Sequence, residues 1–567
     1  MKRFIALLIV AAALMMLVPS LAAQSATATA EAGNTDVYGR PLPDDAAPYN
    51  MQTFQELCDS TAKETSLSAV ETVYDRICEA DLFGDALVNL DQNLHLIPAA
   101  ADSWDVSADG LTWHFHIHPG LVWSDGTPVT ANDWVASFQY MVNPKHAYDF
   151  VWLWNGTIAG WDQAEAGEIP PDQIGVTADP SDPLILDVKT QGPLGYLPST
   201  MIYWPPLQAA ALAKAGSANY QLDPKTSVSS GPFMLKSFTA GSKVDLVANP
   251  TYTGSRKPVL SEIIGVYGDA LNGSFLAFQH HDVDHVNYAN LSSADLQTIV
   301  ADPVMSKHYL PNMGDFRTDY LLMDTYSPPF NNHDVRLAFA KALDRESIVK
   351  NVINAGGVQL AIPAYSFLAP GFPGSDTTGS LNSIQGYDCP AAQKLLAGAG
   401  YPDGKGFPSL TLDLRGESAD IAARFNAAAA SISDCLHVTI AVNNMEYSAY
   451  MTALLARPTQ IQFGAISYGM DYLDDNNMLG SLWNSSGRHS WRNADFDALA
   501  PKAAAETDPD KRLAMYQQMQ QILVSDVGGI FLDYRVQGDL YQPYVAGGDC
   551  FKPDAQGVSA FHWGNNW

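Results

Sequence analysis

The residues best suited to chemistry lie in Ser467-Tyr-Gly-Met-Asp-Tyr-Leu-Asp-Asp-Asn-Asn477, where carboxylates, amides and phenols crowd into one short stretch. A buried carboxylate such as Asp471 can bind an ammonium group, because it supplies both the opposite charge and acceptor lone pairs. Asp471, Asp474, Asp475, Asn476 and Asn477 are also turn formers, so composition by itself favours a turn. A calcium loop would need an Asp-x-Asp-x-Asp-Gly spacing, which is absent. His114, His116 and His118 form a second conspicuous set. On a strand they share one face at steps of about 7 Å. Zinc needs convergent ligands, so an exposed strand face is the simpler reading. His280-His281-Asp282-x-Asp284-His285 reads as a helix end followed by a strand. No metal or cofactor is expected. Gly400-Tyr-Pro-Asp-Gly404-Lys405-Gly406 lacks the spacing and the Ser/Thr of a phosphate-binding loop. Neither a Gly-x-Ser-x-Gly elbow nor a His-Glu-x-x-His pair occurs. A hydrolase triad assembled from distant segments stays open only as a remote reading.

These groups need elements to hold them. Trp113, Phe115 and Ile117 alternate with the three histidines, which is the period of a half-buried strand. Ser124-Asp125-Gly126-Thr127-Pro128 supplies a turn. Thr130 and Asp133 then form a capping box, and Trp134, Val135, Phe138 and Met141 follow on one helical face. Further helices are predicted to open at Asn332 or His333, at Asp344 with Ile348, Val349, Val352 and Ile353 buried, at Asp388 with Pro390, and at Asp508 with Pro509. Strands are predicted over 184–188, 243–248, 320–323 and 410–414. Trp152, Trp154 and Trp161 could stack on a ligand, but core packing is the expected role. The irregular alternation of strands and helices indicates an α/β or α+β chain.

A chain of 567 residues exceeds what one core can organise, so two or more domains are expected. The formal net charge is −30. That argues against nucleic acid and anionic lipid as partners, both of which call for clustered Lys and Arg. Lys2 and Arg3, then an apolar run from Phe4 to Val18 and small residues near Ala22, describe a signal peptide over 1–23. Residues 24–36 read as a flexible small-residue linker. No cysteine stands near the cleavage site to carry a lipid. Export permits disulfides, and the spacing suggests Cys58–Cys78 and Cys389–Cys435, with Cys550 left over.

Six segments in register resemble the extracytoplasmic solute-binding proteins of family 5, the peptide-binding components of ABC importers. They are 86–104, Ser107 through Trp113, Trp113 through Met141, Gly231 through Leu235 with Asn249 to Tyr252, Tyr320 through Ala338, and Tyr387 through Gly404; Ser467 through Asn477 resembles a further stretch of the family. The resemblance implies an α/β fold of two lobes joined by two crossing segments, with an extra subdomain in the first lobe. It places the first lobe at 37–310 and 536–567, the extra subdomain at about 85–225 and the second lobe at 311–535. The crossings fall near 314–324 and 530–537. It implies a binding protein and no enzyme: an exported, extracytoplasmic monomer that captures oligopeptides and delivers them to the permease and ATPase subunits of an importer. Family members also diverge toward oligosaccharides, nickel chelates and other small solutes. Asp471 takes the position that pairs with a peptide's α-ammonium, with Tyr468, Tyr472 and Tyr534 as further ligand-facing residues. Tyr468 and Asp475 depart from the family's usual Trp and Pro.

Overall fold

The computed structural model describes residues 34–58, 66–73, 77–78, 80–91, 93–216, 220–267 and 273–546. The expected signal peptide, most of the expected linker, Cys550 and the chain beyond residue 546 lie outside them. Residues 34–36, the end of that linker, are tied in. Asp36 accepts hydrogen bonds from the backbone N–H groups of Tyr38 and Arg40 and from Arg40 Nε.

Two large sheets organise the molecule. The first has seven strands in the order Tyr309–Asn312, Gln537–Tyr541, His285–Asn287, Thr53–Cys58, Glu262–Tyr267, Lys243–Ala248 and Phe233–Thr239. The second has six, ordered Ala361–Pro363, Gly529–Arg535, Thr318–Met323, Phe463–Tyr468, Leu410–Leu414 and Ile440–Asn444. Between Thr53–Cys58 and Phe233–Thr239 the chain builds a hairpin of Val88–Leu90 with Leu96–Pro98. It also builds a four-stranded sheet of Ala101–Val106, Thr112–Ile117, Ile185–Lys189 and Val176–Ala178.

Local sequence accounts for most of these elements. In Thr112–Ile117, Trp113, Phe115 and Ile117 are buried while the histidines between them are not. Each histidine is bonded to an aspartate: His114 to Asp187, His116 to Asp105 and His118 to Asp102, at 2.7–2.8 Å. Asp133 accepts from the Thr130 N–H at 2.8 Å and caps helix Ala131–Val142. Trp134, Phe138 and Met141 go into the core together with Trp154 and Trp161, whereas Trp152 is exposed. Asn332, Asp344, Asp388 and Asp508 each cap a helix through their side chains. One expectation is corrected. Ile348, Val349 and Ile353 are buried, but Val352 is exposed. The chain winds as a π-helix over Val349–Ile353, and the extra residue per turn rotates Val352 off the buried face.

The two large sheets are joined by short connections, from Asn312 to Thr318 and from Arg535 to Gln537. Gly314 (φ +52°) lies where the connections pass one another, and a Cβ there would sit 2.3 Å from the Gln537 side chain. Behind them, Asp319 is fully buried. It accepts from Arg535 Nε at 2.7 Å and Nη2 at 2.8 Å. It also accepts from Arg424 Nη1 at 3.2 Å, and Arg424 in turn reaches Asp533 at 2.7 Å. Burial alone would push the Asp319 carboxyl up. The charges of Arg535, Arg424 and Arg317 outweigh it and hold the group below its ordinary value.

A third contact involves the inserted region. Gly195 N–H donates to the Ala504 carbonyl at 2.7 Å, and the Gly195 carbonyl accepts from Arg512 Nη1 at 2.6 Å. A Cβ on Gly195 would lie 2.0 Å from the Glu506 carbonyl oxygen, so only glycine allows this approach. Leu90, from the hairpin, is buried in the same apolar cluster as Phe367, Trp483 and Phe531 of the second sheet's region.

Disulfides join Cys58 to Cys78 and Cys389 to Cys435, with Cα separations of 5.6 and 5.7 Å. The first seven-stranded sheet carries a buried charge of its own. His285 lies between Glu56 (3.3 Å) and Asp539 (3.0 Å) and stacks on Tyr541. Burial opposes its protonation, but the two carboxylates prevail and raise its pKa to about 10.

The folded pKa of His285 is above the unfolded value, so its contribution to stability is complete below about pH 6.5 and fades as pH rises toward 10. His285→Gln should therefore destabilise the protein by about 3 kcal/mol at pH 6. The gap to the parent should narrow steadily in denaturant melts taken up to pH 10. Asp319→Asn should cost a similar amount, about 3 kcal/mol, because it strands buried guanidinium groups. A loss below about 1 kcal/mol in urea melts would show the cluster to be dispensable.

Candidate functional site

Strand Phe463–Tyr468 ends at a group of polar side chains. Tyr468 and Tyr534 both pair with Thr318, which lies on the strand between them, so the two phenols occupy one row across the sheet. After Tyr468 the chain turns sharply. Gly469 fits against the Asp315 carboxylate, where a Cβ would sit 2.0 Å away, and Met470 N–H donates to the Asp315 carbonyl at 2.8 Å. This bend brings Asp471 back beside Tyr468.

Asp471 is held at one oxygen only. Its Oδ2 accepts from Tyr468 Oη at 2.5 Å and from Asn477 Nδ2 at 3.0 Å. Its backbone N–H donates to Asn477 Oδ1 at 2.8 Å. Oδ1 accepts no hydrogen bond from any described residue, and the residue keeps partial exposure. Burial pushes the carboxyl above its ordinary value. The bonds from Tyr468 and Asn477 and the charges of Arg488 and Arg317 pull it back in part. The result is a rigid carboxylate, part desolvated, with one free acceptor. Such a group favours a cation that can donate a hydrogen bond.

Three guanidinium groups surround it. Arg317 and Arg415 both reach Ser467 Oγ, at 3.2 and 3.3 Å. Arg317 is paired with Asp315, and Arg415 faces Glu417 at 3.5 Å. Arg488 lies over the Tyr468 ring, 4.8 Å from its centroid. Nothing in the sequence signals these arginines, or Asn477 as a partner of Asp471. They come from separate segments, and no spacing rule connects them.

The other expected site residues are placed differently. Tyr472 turns away from Asp471 and stacks on Tyr196 of the inserted region, with ring centroids 5.6 Å apart and planes 13° apart. Its hydroxyl accepts from Asn476 Nδ2 at 3.0 Å. Tyr534 donates to the Ser366 carbonyl at 2.9 Å. It lines a separate cavity of about 340 Å³ with Tyr365, Ser366 and Asp376. Asp474 pairs with Arg512 at 3.1 Å. Asp475 accepts from Gly374 N–H at 3.0 Å, and burial together with the Asp474 charge raises its pKa to about 8. These acids diverge: Asp474 and Asp475 are engaged by Arg512 and Gly374, and Asp471 keeps one oxygen without a hydrogen bond beside Tyr468.

Known proteins share this architecture. The periplasmic oligopeptide-binding protein OppA of Escherichia coli is 27% identical over 538 residues, covering 93% of this chain and 95% of that protein. The probable deoxycholate-binding periplasmic protein YgiS of the same organism is 27% identical, covering 83% of this chain and 86% of its own length. The unliganded open form of the periplasmic murein tripeptide binding protein MppA superposes with a TM-score of 0.76 at 22% identity, covering 90% of this chain and 96% of that one. The likeness is one of fold, two lobes of the periplasmic-binding type. The profile of the bacterial extracellular solute-binding proteins, family 5 Middle, matches residues 95–490, and the chain belongs to that family.

Proposed function

We propose that this protein captures oligopeptides between its two lobes and delivers them to the permease and ATPase subunits of an ABC importer, acting as an exported monomer. The first lobe is taken to comprise 37–310 and 536–567, with the extra subdomain at about 85–225, and the second 311–535. The observation that carries the reading is Asp471: one oxygen fixed by Tyr468 and Asn477, the other free to accept from a peptide's α-ammonium. Tyr468 orients this carboxylate. Tyr472 forms a wall through its stack on Tyr196, and Tyr534 closes the row of phenols at the far side of Thr318. Main-chain groups and water would take the rest of the peptide, which tolerates varied side chains. Contacts made only when both lobes touch the ligand would shift the population toward a closed form.

Other solutes are the second reading, since one relative is named for deoxycholate. A bile acid carries a carboxylate and no ammonium, so Asp471 would repel it. Mass spectrometry of ligand retained through purification separates the two readings.

Calorimetric titration with short peptides should show binding that N-acetylation weakens by about a hundredfold, the scale of a lost charge-assisted hydrogen bond beside a buried carboxylate. Asp471→Asn should lose a similar factor for the free amine and little for the acetylated peptide. Equal affinity for both forms would remove the role given to Asp471. Binding needs the carboxylate ionised, and its pKa in the free protein is raised. Affinity should therefore decline as pH falls, beginning above the range of an ordinary aspartate, and Asp471→Asn should flatten that decline.

A further inference from the structure

Arg488 is not accounted for by the amine site. Of the three guanidinium groups around Tyr468 and Asp471, Arg317 and Arg415 each have a carboxylate partner. Arg488 makes no ion pair with any described residue, and its Nε and Nη2, shut away from solvent, have no hydrogen-bond partner among them. The groups facing it are the phenols of Tyr320 and Tyr468 and, as the one carboxylate, Asp471. The adjoining His489 adds no counter-charge. It is buried and held neutral, with Nε2 at 2.8 Å from Tyr320 Oη. The side chain is also held in place. The Gly487 carbonyl accepts from Arg457 Nη2 at 2.5 Å, and Ser490 Oγ donates to Asp324 at 2.5 Å, so the loop is pinned on both sides of Arg488.

A part-buried guanidinium with no counter-ion is costly. Here it stands one phenol ring away from the carboxylate proposed to take the ligand's amine. A bare ammonium arriving at Asp471 would add a second positive charge and use up the negative charge nearest Arg488. A ligand that brings its own anion satisfies both groups. The spacing sets where that anion must be: across one tyrosine ring, roughly the span of one or two residues.

We propose that Arg488 reads an acidic group close to the ligand's amine, so that the site prefers peptides whose first residue is Asp or Glu. This rests on the peptide reading above and adds a preference to it. The guanidinium fork suits a carboxylate in two-point contact, and its stack on Tyr468 fixes the plane of that fork.

The test is calorimetric titration of the full-length mature protein with Glu-Ala-Ala, Gln-Ala-Ala and Lys-Ala-Ala. The expected order is Glu over Gln over Lys, with about tenfold between the first two. Arg488→Gln should bring Glu-Ala-Ala and Gln-Ala-Ala to within about twofold of each other, chiefly by weakening Glu-Ala-Ala. Arg488→Lys, which keeps the charge and loses the fork, should retain part of the preference, and it replaces the Gln variant if that does not fold. If the parent binds Gln-Ala-Ala as tightly as Glu-Ala-Ala, the peptide reading stands and the role of Arg488 falls. A preference that survives Arg488→Gln also overturns it. If none of the three peptides binds, the peptide reading falls and takes this inference with it.

Discussion

A carboxylate with no access to water must be matched by positive charge, and Asp319 imposes that demand at the point where the chain passes between its two large sheets. Its partners are Arg535, at the end of the last strand before the second connection, and Arg424, from helix Ala419–Leu436. Asp319 itself lies on the first strand after the other connection. One buried ion cluster therefore fixes where both connecting strands begin and end. That register puts Thr318 between Tyr468 and Tyr534, and so sets the row of phenols beside which Asp471 lies. The neighbouring glycines serve the same end. Gly314 lets the connections pass, and Gly469 lets the chain fold back on Asp315 so that Asp471 meets Tyr468.

The site uses desolvation twice, with opposite signs. Burial makes the Asp471 carboxylate harder to ionise, which raises the gain when a cation arrives. Burial of Arg488 without a counter-ion makes the surroundings intolerant of a cation that comes alone. Between them lies the Tyr468 ring, donating its hydroxyl to one group and offering its face to the other. A tryptophan at this position could stack but would have no hydroxyl to donate to Asp471, so the departure from the family's usual residue changes how the carboxylate is held.

The inserted region does more than extend the seven-stranded sheet. Through Gly195 and Tyr196 it touches the region of the six-stranded sheet, with a backbone hydrogen bond to Ala504, a bond from the Arg512 side chain and a stacked ring on Tyr472. A residue expected to face the ligand is thereby used for contact between regions. The histidines that first suggest a metal are spent in another way. Each is hydrogen-bonded to an aspartate on a neighbouring strand, so the exposed face of that sheet carries a row of His–Asp hydrogen bonds.

Much of the local structure was legible because it depends on residues close in sequence. A capping box needs Thr130 and Asp133 three positions apart, a half-buried strand needs alternation, and Asp388 or Asp508 before a proline announces a helix. The cysteine pairing that spacing suggested is the one the structure contains. Periodicity failed at Val352 because a π-helical turn changes the period itself. The segment containing Asp471 could also be singled out, but the sequence described it as a turn and as a site in the same residues. Only the tertiary structure distinguished the carboxylates, giving Asp471 the Tyr468 and Asn477 side chains and Asp474 and Asp475 partners in Arg512 and Gly374. It also supplied Arg317, Arg415 and Arg488, which converge from three distant segments. Spacing along a chain fixes which side chains share a face. Which charges are buried together, and which lack a partner, depends on distances that exist only once the sheets have assembled.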